Sequence, residues 1–257
     1  MLLKTKDYFT LGNVMGGFMC IIFVIQGKID WASYSILIAY AFDVSDGLVA
    51  RLTKQYNKFG AELDNVADLV AYSIAPSFLI YGYYTTHPTF PHPPWLLTVA
   101  ISSLPTLTGC IRFARFNVKR LSLNGAWVGF PRPGAALLYI GYFNSIIANK
   151  YEFMYWFGLF VVIYASVMHF VLVPFYNHHR EEGHPFYMKL SFFFIFSSWI
   201  FTFIADFFVG QRLVFDVIMI WLLLYLFLHR RLSFPPSELA EIRRFVKEWK
   251  ADEAKIT

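Results

Sequence analysis

Eight apolar stretches dominate this sequence, and each approaches the length of about 20 residues that a helix needs to cross a bilayer. The stretches are continuously apolar, unlike the alternating strands of a membrane barrel. Charged residues make up only 15% of the chain, whereas soluble domains carry about 25%. The sequence therefore predicts an all-α fold, a polytopic membrane helical bundle with about eight transmembrane helices. We expect the spans at residues 10–27, 31–52, 63–85, 94–117, 133–149, 152–175, 187–208 and 211–229.

Lysines and arginines lie almost entirely on one side of these spans. With eight spans both termini share a side, and that side carries 19 of the 22 Lys and Arg residues. The opposite side has Lys28, Lys150 and Arg212. Because cytoplasmic loops carry the excess of positive charge, we expect an integral, multi-pass protein with both termini in the cytoplasm. The net charge of +5 then reflects topology and contact with anionic lipids of the bilayer, so no nucleic-acid partner is expected.

The C-terminal segment differs in character from the spans. We divide the chain into a transmembrane catalytic domain, residues 1–236, and a cytoplasmic amphipathic tail, residues 237–257. Apolar residues of the tail fall on one helical face, which favours a helix lying on the cytoplasmic leaflet. A helix that docks on the bundle or is solvated remains the alternative. The apolar face consists of Leu239, Ile242, Phe245, Val246 and Trp249.

Four aspartates lie at the predicted cytoplasmic ends of the second and third spans. Asp43 and Asp46 are three residues apart and Asp64 and Asp68 are four apart, so each pair can lie on one helix face. Carboxylates near hydrocarbon are costly and are normally kept where they bind a charged partner. Antiparallel packing would gather all four, and such a cluster cannot stay fully ionised without cations. We therefore expect an active site that binds metal, at the cytoplasmic side.

Ligands that are all carboxylates favour hard divalent ions. Mg²⁺ or Mn²⁺, or else Ca²⁺, suits oxygen ligands better than zinc, which prefers nitrogen and sulfur. Two ions about 3.5–4 Å apart that share carboxylates are the usual arrangement for phosphoryl chemistry. The sequence therefore predicts two divalent ions.

Small residues accompany the aspartates. Gly47 and Ala50 lie one helical turn beyond the first pair, and Gly60 lies one turn before the third aspartate. Their missing side chains leave room for a flat group, such as a nucleobase, to approach the backbone. Arg51 can meet an anion or anchor the end of its helix.

The spacing of these residues resembles a known signature. Residues 43–68 match the CDP-alcohol phosphotransferase pattern D-x2-DG-x2-AR-x8-G-x3-D-x3-D at every fixed position. Members of that family transfer a phosphatidyl-type group from a CDP-linked lipid or alcohol to a hydroxyl and release CMP. The resemblance also implies a homodimer.

The resemblance implies a role for each matched residue. Asp43, Asp46 and Asp64 would be metal ligands. Asp68 would ligate the second metal and act as the general base for the acceptor hydroxyl. The CDP site would be bordered by Asp46, Gly47, Ala50, Arg51 and Gly60.

Further segments resemble the phosphatidylserine synthases of bacteria and archaea. They are residues 10–13 (TLGN), 59–64 (FGAELD), 110–117 (CIRFARFN) and 129–136 (GFPRPGAA). Asn65 and residues 71–73 (AYS) differ from that subfamily, which usually has serine and Ser-Phe-Gly there. These differences leave the acceptor alcohol open.

A serine acceptor brings a carboxylate to a site that already holds phosphates, so it needs a fixed cation. Arg112, Arg115 and Arg132 are the candidates for binding the acceptor or phosphate, because arginine binds carboxylate and phosphate bidentately. The alternative for each is an anchor at the cytoplasmic membrane surface. Two further acids, Asp206 and Asp216, bracket the last outer turn and are interpreted as exposed at the interface.

The resemblance therefore implies an enzyme that transfers the phosphatidyl group of CDP-diacylglycerol to L-serine in phospholipid biosynthesis. One alternative is the same metal-dependent transfer to glycerol phosphate, inositol phosphate or choline, or from an archaeal CDP-ether lipid. A remote alternative is an ion-coupled transporter whose acids bind the coupling cation.

Overall fold

A computed structural model describes residues 3–53, 58–118, 126–176, 186–209, 212–228 and 236–253. Within these ranges the chain forms eleven α-helices, a π-helical stretch and two short strands, which confirms the helical fold class. The helices are α1 (Thr5–Ile25), α2 (Ile29–Thr53), α3 (Lys58–Leu69), α4 (Ala75–Thr86), α5 (Trp95–Val118), α6 (Arg132–Asn144), α7 (Ile146–Lys150), α8 (Glu152–Met168), α9 (Phe186–Val209), α10 (Leu213–Leu228) and α11 (Pro236–Glu253). The π-helical stretch is Val70–Ile74, and the strands are β1 (Ala126–Val128) and β2 (Pro174–Tyr176).

Several helices are apolar enough to cross a membrane. Three described segments, Thr5–Ile25, Lys58–Thr86 and Trp95–Val118, have both the length and the composition of a span. Glu152–Met168, Phe193–Val209 and Leu213–Leu228 are shorter apolar helices. These segments are consistent with an integral membrane protein, while the count of eight spans stays a prediction.

Two predicted spans end differently from expectation. The sixth was expected to continue to residue 175, but α8 ends at Met168 and β2 pairs antiparallel with β1. Pro174 opens this strand, where its missing N–H would interrupt a helix. The fifth was expected to be one helix, but the chain is extended at Ser145, whose hydroxyl accepts from the Ala148 N–H at 3.0 Å and caps α7.

The third span is continuous from α3 to α4 but changes hydrogen-bonding pattern at Val70–Ile74. The Ser73 carbonyl accepts from the hydroxyls of Ser77 at 3.0 Å and Thr106 at 3.3 Å. The Ser77 hydroxyl also lies 2.8 Å from that of Thr106. These bonds satisfy a carbonyl of the π-helical stretch and fasten the stretch to α5.

Close helix packing brings α1 against the helices that carry the aspartates. A Cβ on Gly16 would lie 2.7 Å from the Ala39 Cβ of α2. A Cβ on Gly17 would lie 2.8 Å from the Cα of Ala71, just beyond α3. Only glycine allows this approach, so α1 forms one wall of the region around the aspartates.

The expectation that Asp206 and Asp216 are exposed is wrong, since both are buried. Asp206 accepts from the N–H groups of Leu213 at 2.8 Å and Val214 at 2.9 Å, at the start of α10. Asp216 accepts from the N–H groups at the start of α7 and from the Ser145 hydroxyl. Both carboxylates therefore accept hydrogen bonds from backbone N–H groups at the start of a helix, which have no acceptor within the helix itself.

The predicted amphipathic tail forms α11. On its apolar face Ile242 is buried, Phe245 is half-buried and Leu239 is exposed. Phe245 joins α5 and the turn after α8 in lining an apolar cavity of about 420 Å³. The division into two domains stays a prediction.

Candidate active site: a carboxylate cluster beside an arginine

Three of the four predicted aspartates meet between α2 and α3. One carboxylate oxygen from each of Asp43, Asp64 and Asp68 lies within 4.8 Å of the others. Asp64 and Asp68 share a face of α3 because they are one turn apart, and Asp43 approaches from the last part of α2. All three side chains are half-buried. The structure thus forms the core of the predicted cluster.

Asp46 lies outside this group of three. It is buried, and its Oδ2 accepts from the hydroxyl of Thr10 on α1 at 2.7 Å. One turn earlier on α1, the ammonium of Lys6 lies 3.0 Å from Asp7 Oδ1. Thr10 was not among the predicted site residues, and only the 10–13 segment pointed to it. The contact shows that α1 takes part in the site.

Arg132 is the predicted cation that reaches the cluster. Its Nη2 donates to Asp68 Oδ2 at 3.3 Å, and its guanidinium lies 6.0 Å from the centre of the Phe113 ring. Arg132 is the first residue of α6 and follows Pro131, which caps that helix. The start of α6 therefore places a buried guanidinium next to the carboxylates.

Arg112 and Arg115 make a different set of contacts. Arg112 Nη1 donates to the carbonyls of Val128 at 2.7 Å and His169 at 2.9 Å. Arg115 donates to the carbonyls of Phe170 at 3.0 Å and Val128 at 3.3 Å. The two arginines thereby fasten the end of α5 to β1 and to the turn after α8. Their role toward the acceptor stays a prediction.

The residues predicted to border the CDP site differ in their exposure. The nearest neighbour to a Cβ on Gly47 would be Arg51 Nη1 at 3.6 Å, which is ordinary contact. Arg51 is exposed, while Ala50 and Gly60 are buried. The surroundings of Gly47 are therefore open, and the CDP-binding role of these residues stays a prediction.

The donor set fits a hard divalent cation. The three gathered ligands are all carboxylates, and Asp68 Oδ1 is buried without a hydrogen-bond partner among the described residues. Buried anionic oxygens this close repel one another unless a cation lies among them. Mg²⁺ and Mn²⁺ prefer such oxygen ligands.

These features together define an all-α protein with membrane-type helices. Its clustered carboxylates suit a metal ion, and the ion together with Arg132 suits phosphate groups. Residues 5–171 match the CDP-alcohol phosphatidyltransferase family, and the chain belongs to this family. The matched region contains every gathered aspartate and Arg132.

Similar proteins carry related names. The CDP-diacylglycerol–serine O-phosphatidyltransferase of Helicobacter pylori is 33% identical over 149 residues, 58% of this chain and 60% of that protein. The protein of the same name from Methanocaldococcus jannaschii is 31% identical over 153 residues, 58% of this chain and 66% of that protein. An archaetidylserine synthase from Methanothermobacter thermautotrophicus is 30% identical over 165 residues, 63% of this chain and 65% of that protein. Each match spans less than two thirds of the relative's length.

Proposed function

We propose that this protein is an enzyme that transfers the phosphatidyl group of CDP-diacylglycerol to the hydroxyl of L-serine, forming phosphatidylserine and CMP. The observation that carries the proposal is the cluster of Asp43, Asp64 and Asp68 within a complete family signature. The names of the relatives support serine as the acceptor.

The aspartates hold the metal in this proposal. Asp43, Asp46 and Asp64 ligate one Mg²⁺ or Mn²⁺ ion, and Asp68 completes the site for a second. Ions held by these residues would neutralise the diphosphate of the donor and stabilise charge on the leaving CMP. Thr10 orients Asp46 through its 2.7 Å hydrogen bond, as outer groups commonly orient metal ligands.

Asp68 and Arg132 act on the acceptor. Asp68 accepts the proton of the serine hydroxyl as that oxygen attacks the phosphorus of the phosphatidyl group, and the bond from phosphorus to CMP breaks. Arg132 holds the Asp68 carboxylate from one side and presents its remaining N–H groups to anionic parts of the substrates. Arg132 Nη1 is buried without a partner among the described residues, which supports this binding role.

The nucleotide lies along α2. Gly47 and Ala50 leave space for the cytidine, and the exposed Arg51 binds phosphate. Gly60 allows the same close approach from α3. Arg112 and Arg115 have further N–H groups for the acceptor carboxylate, although their described bonds go to backbone carbonyls.

We further propose the arrangement of the whole protein. Eight spans cross the bilayer, both termini and the site face the cytoplasm, and α11 lies on the inner leaflet as a separate tail. Two copies form a homodimer. The loop charges support the sidedness, and the family resemblance supports the dimer.

The likeness to an archaetidylserine synthase favours one second candidate, the same reaction with a CDP-ether lipid as donor. Transfer to glycerol phosphate, inositol phosphate or choline has no comparable support. The family membership also disfavours an ion-coupled transporter.

CMP release from a panel of substrates tests the proposal. Purified protein with Mn²⁺ is given CDP-diacylglycerol or its ether analogue, together with serine, glycerol 3-phosphate, inositol phosphate or choline. We expect serine to raise CMP release far above the level without acceptor. Stimulation by another alcohol instead of serine would contradict the assignment.

A further inference from the structure

The phenol of Tyr72 is a buried polar group that the proposed reaction does not use. Tyr72 lies in the π-helical stretch, one turn beyond Asp68, and its side chain is 0% exposed. No described atom lies in good hydrogen-bond geometry to its hydroxyl, although the Asp43 carboxylate lies near enough to interact with it. A buried hydroxyl without a good hydrogen bond costs free energy. A bound ligand that accepts a hydrogen bond from the phenol, or that draws Asp43 into place, would remove this cost.

The hydroxyl belongs to the region around the carboxylates. The carboxylates that interact electrostatically with it are those of Asp43 and Asp68. Two more buried atoms in this region, Asp68 Oδ1 and Arg132 Nη1, also lack partners in the described part of the chain. Buried polar groups from the π-helical stretch, α3 and α6 therefore lie together beside the carboxylates.

Packing on both sides fixes the position of Tyr72. The preceding residue, Ala71, touches Gly17 of α1 so closely that a Cβ there would lie 2.8 Å from the Ala71 Cα. The following residue, Ser73, packs directly against Gly109 of α5. π-Helical turns are frequent at functional sites, and this one directs a phenol toward the metal ligands.

We infer that Tyr72 is a positioning residue for the metal: its hydroxyl donates a hydrogen bond to Asp43, or to water on the ion, once the cation is bound. The inference rests on the proposed metal-dependent function. Groups in this outer position fix the orientation of the ligands, and their loss typically weakens metal binding by about 10–100-fold.

Tyr72→Phe tests the inference because it removes one oxygen and keeps the ring. Mn²⁺ affinity is measured on detergent-purified protein by electron paramagnetic resonance of free Mn²⁺, and melting temperature is recorded with and without the ion. We expect the variant to bind Mn²⁺ about 10–100-fold more weakly. Its melting temperature without metal should change little, because the removed hydroxyl makes no hydrogen bond of good geometry there.

Tyr84→Phe is the matched control. Tyr84 is equally buried, but its hydroxyl donates to the Tyr155 carbonyl at 3.1 Å on another part of the bundle. This variant should melt at a lower temperature and bind Mn²⁺ as the wild type does. A purely structural role for Tyr72 would give the same pattern in both variants.

The outcomes separate the inference from the function on which it rests. Equal Mn²⁺ affinity in wild type and Tyr72→Phe would overturn the inference alone. A Tyr72→Phe protein that fails to fold would also overturn it, because the hydroxyl would then stabilise the metal-free protein. Wild-type protein that binds no Mn²⁺ would overturn the metal site as well.

Discussion

Asp68 has two distinct environments at its two oxygens. Oδ2 accepts from Arg132 at 3.3 Å, while Oδ1 has no hydrogen-bond partner among the described residues. The ion pair holds the carboxylate in one orientation, which is useful for a group that must accept a proton from a defined direction. One carboxylate oxygen from each of Asp43 and Asp64 lies within 4.8 Å of an Asp68 oxygen. One side chain can thus contribute to both metal binding and proton transfer.

Asp68→Asn should lower turnover by about 100-fold or more, because general base catalysis typically contributes about 10²–10⁴-fold. The amide keeps the shape of the carboxylate, so the melting temperature should change little. CMP release with serine as acceptor measures the loss.

Asp30→Asn is the matched control. Asp30 lies at the start of α2, pairs with Arg212 and is partly exposed. Its neutralisation should leave CMP release near the wild-type rate. Retained turnover in Asp68→Asn would remove the proposed base.

The antiparallel pair of β1 and β2 positions the start of α6. The Gly129 N–H donates to the Val173 carbonyl and the Phe130 N–H to the Met168 carbonyl, both at 2.8 Å. Arg112 adds bonds to the carbonyls of Val128 in β1 and of His169 just after α8. Because Arg132 follows only three residues after Gly129, these bonds determine where its guanidinium meets Asp68.

Gly129→Ala should destabilise the protein more than Gly27→Ala. Both glycines have positive φ, 76° and 70°, which costs an alanine about 1–2 kcal/mol. A Cβ on Gly129 would also lie 2.6 Å from the His169 carbonyl, whereas a Cβ on Gly27 meets nothing within 4 Å. That overlap should add about 1–3 kcal/mol.

Thermal unfolding of the two variants measures the difference. Gly129→Ala should also weaken serine-dependent CMP release through displacement of Arg132, and Gly27→Ala should not. Equal melting temperatures would contradict the positioning role of the strand pair.

Local sequence predicted some elements of this fold and missed others for physical reasons. Long apolar runs identified the helices, and the fixed spacing of Asp43, Asp64 and Asp68 predicted their cluster. The strand pair escaped prediction because a three-residue strand such as β2 is specified by its partner rather than by its own pattern. The N-capping roles of Asp206 and Asp216 escaped it too, because a cap between distant segments depends on tertiary packing.

The site also shows the limit of spacing alone. Helical periodicity placed Asp46 on the face of Asp43, but the Thr10 hydroxyl of a third helix binds its carboxylate. The position of the Tyr72 phenol beside the carboxylates depends on the π-helical stretch, which the spacing of the sequence does not indicate. Contacts between helices, which a linear pattern does not contain, decide both features.

The distribution of charge over the whole molecule predicts its orientation. With the eight predicted spans, 19 of the 22 lysines and arginines fall on the side of the termini, so a C-terminal fusion to green fluorescent protein should fluoresce in a bacterial host. A C-terminal alkaline phosphatase fusion should be inactive, because that enzyme needs the oxidising periplasm.

Fusion after residue 90, in the predicted outer loop between α4 and α5, is the matched control and should give active phosphatase and no fluorescence. The reverse pattern at the C-terminus would place the carboxylate cluster on the wrong side for cytoplasmic serine.

Transfer of labelled serine into lipid tests the central claim most directly. Purified protein is incubated with CDP-diacylglycerol, labelled L-serine and Mn²⁺, and both the labelled lipid and CMP are quantified. We predict equimolar phosphatidylserine and CMP, with both products lost when a chelator removes the metal. CMP release without labelled lipid, or labelled lipid that forms equally well in the chelator, would contradict the account.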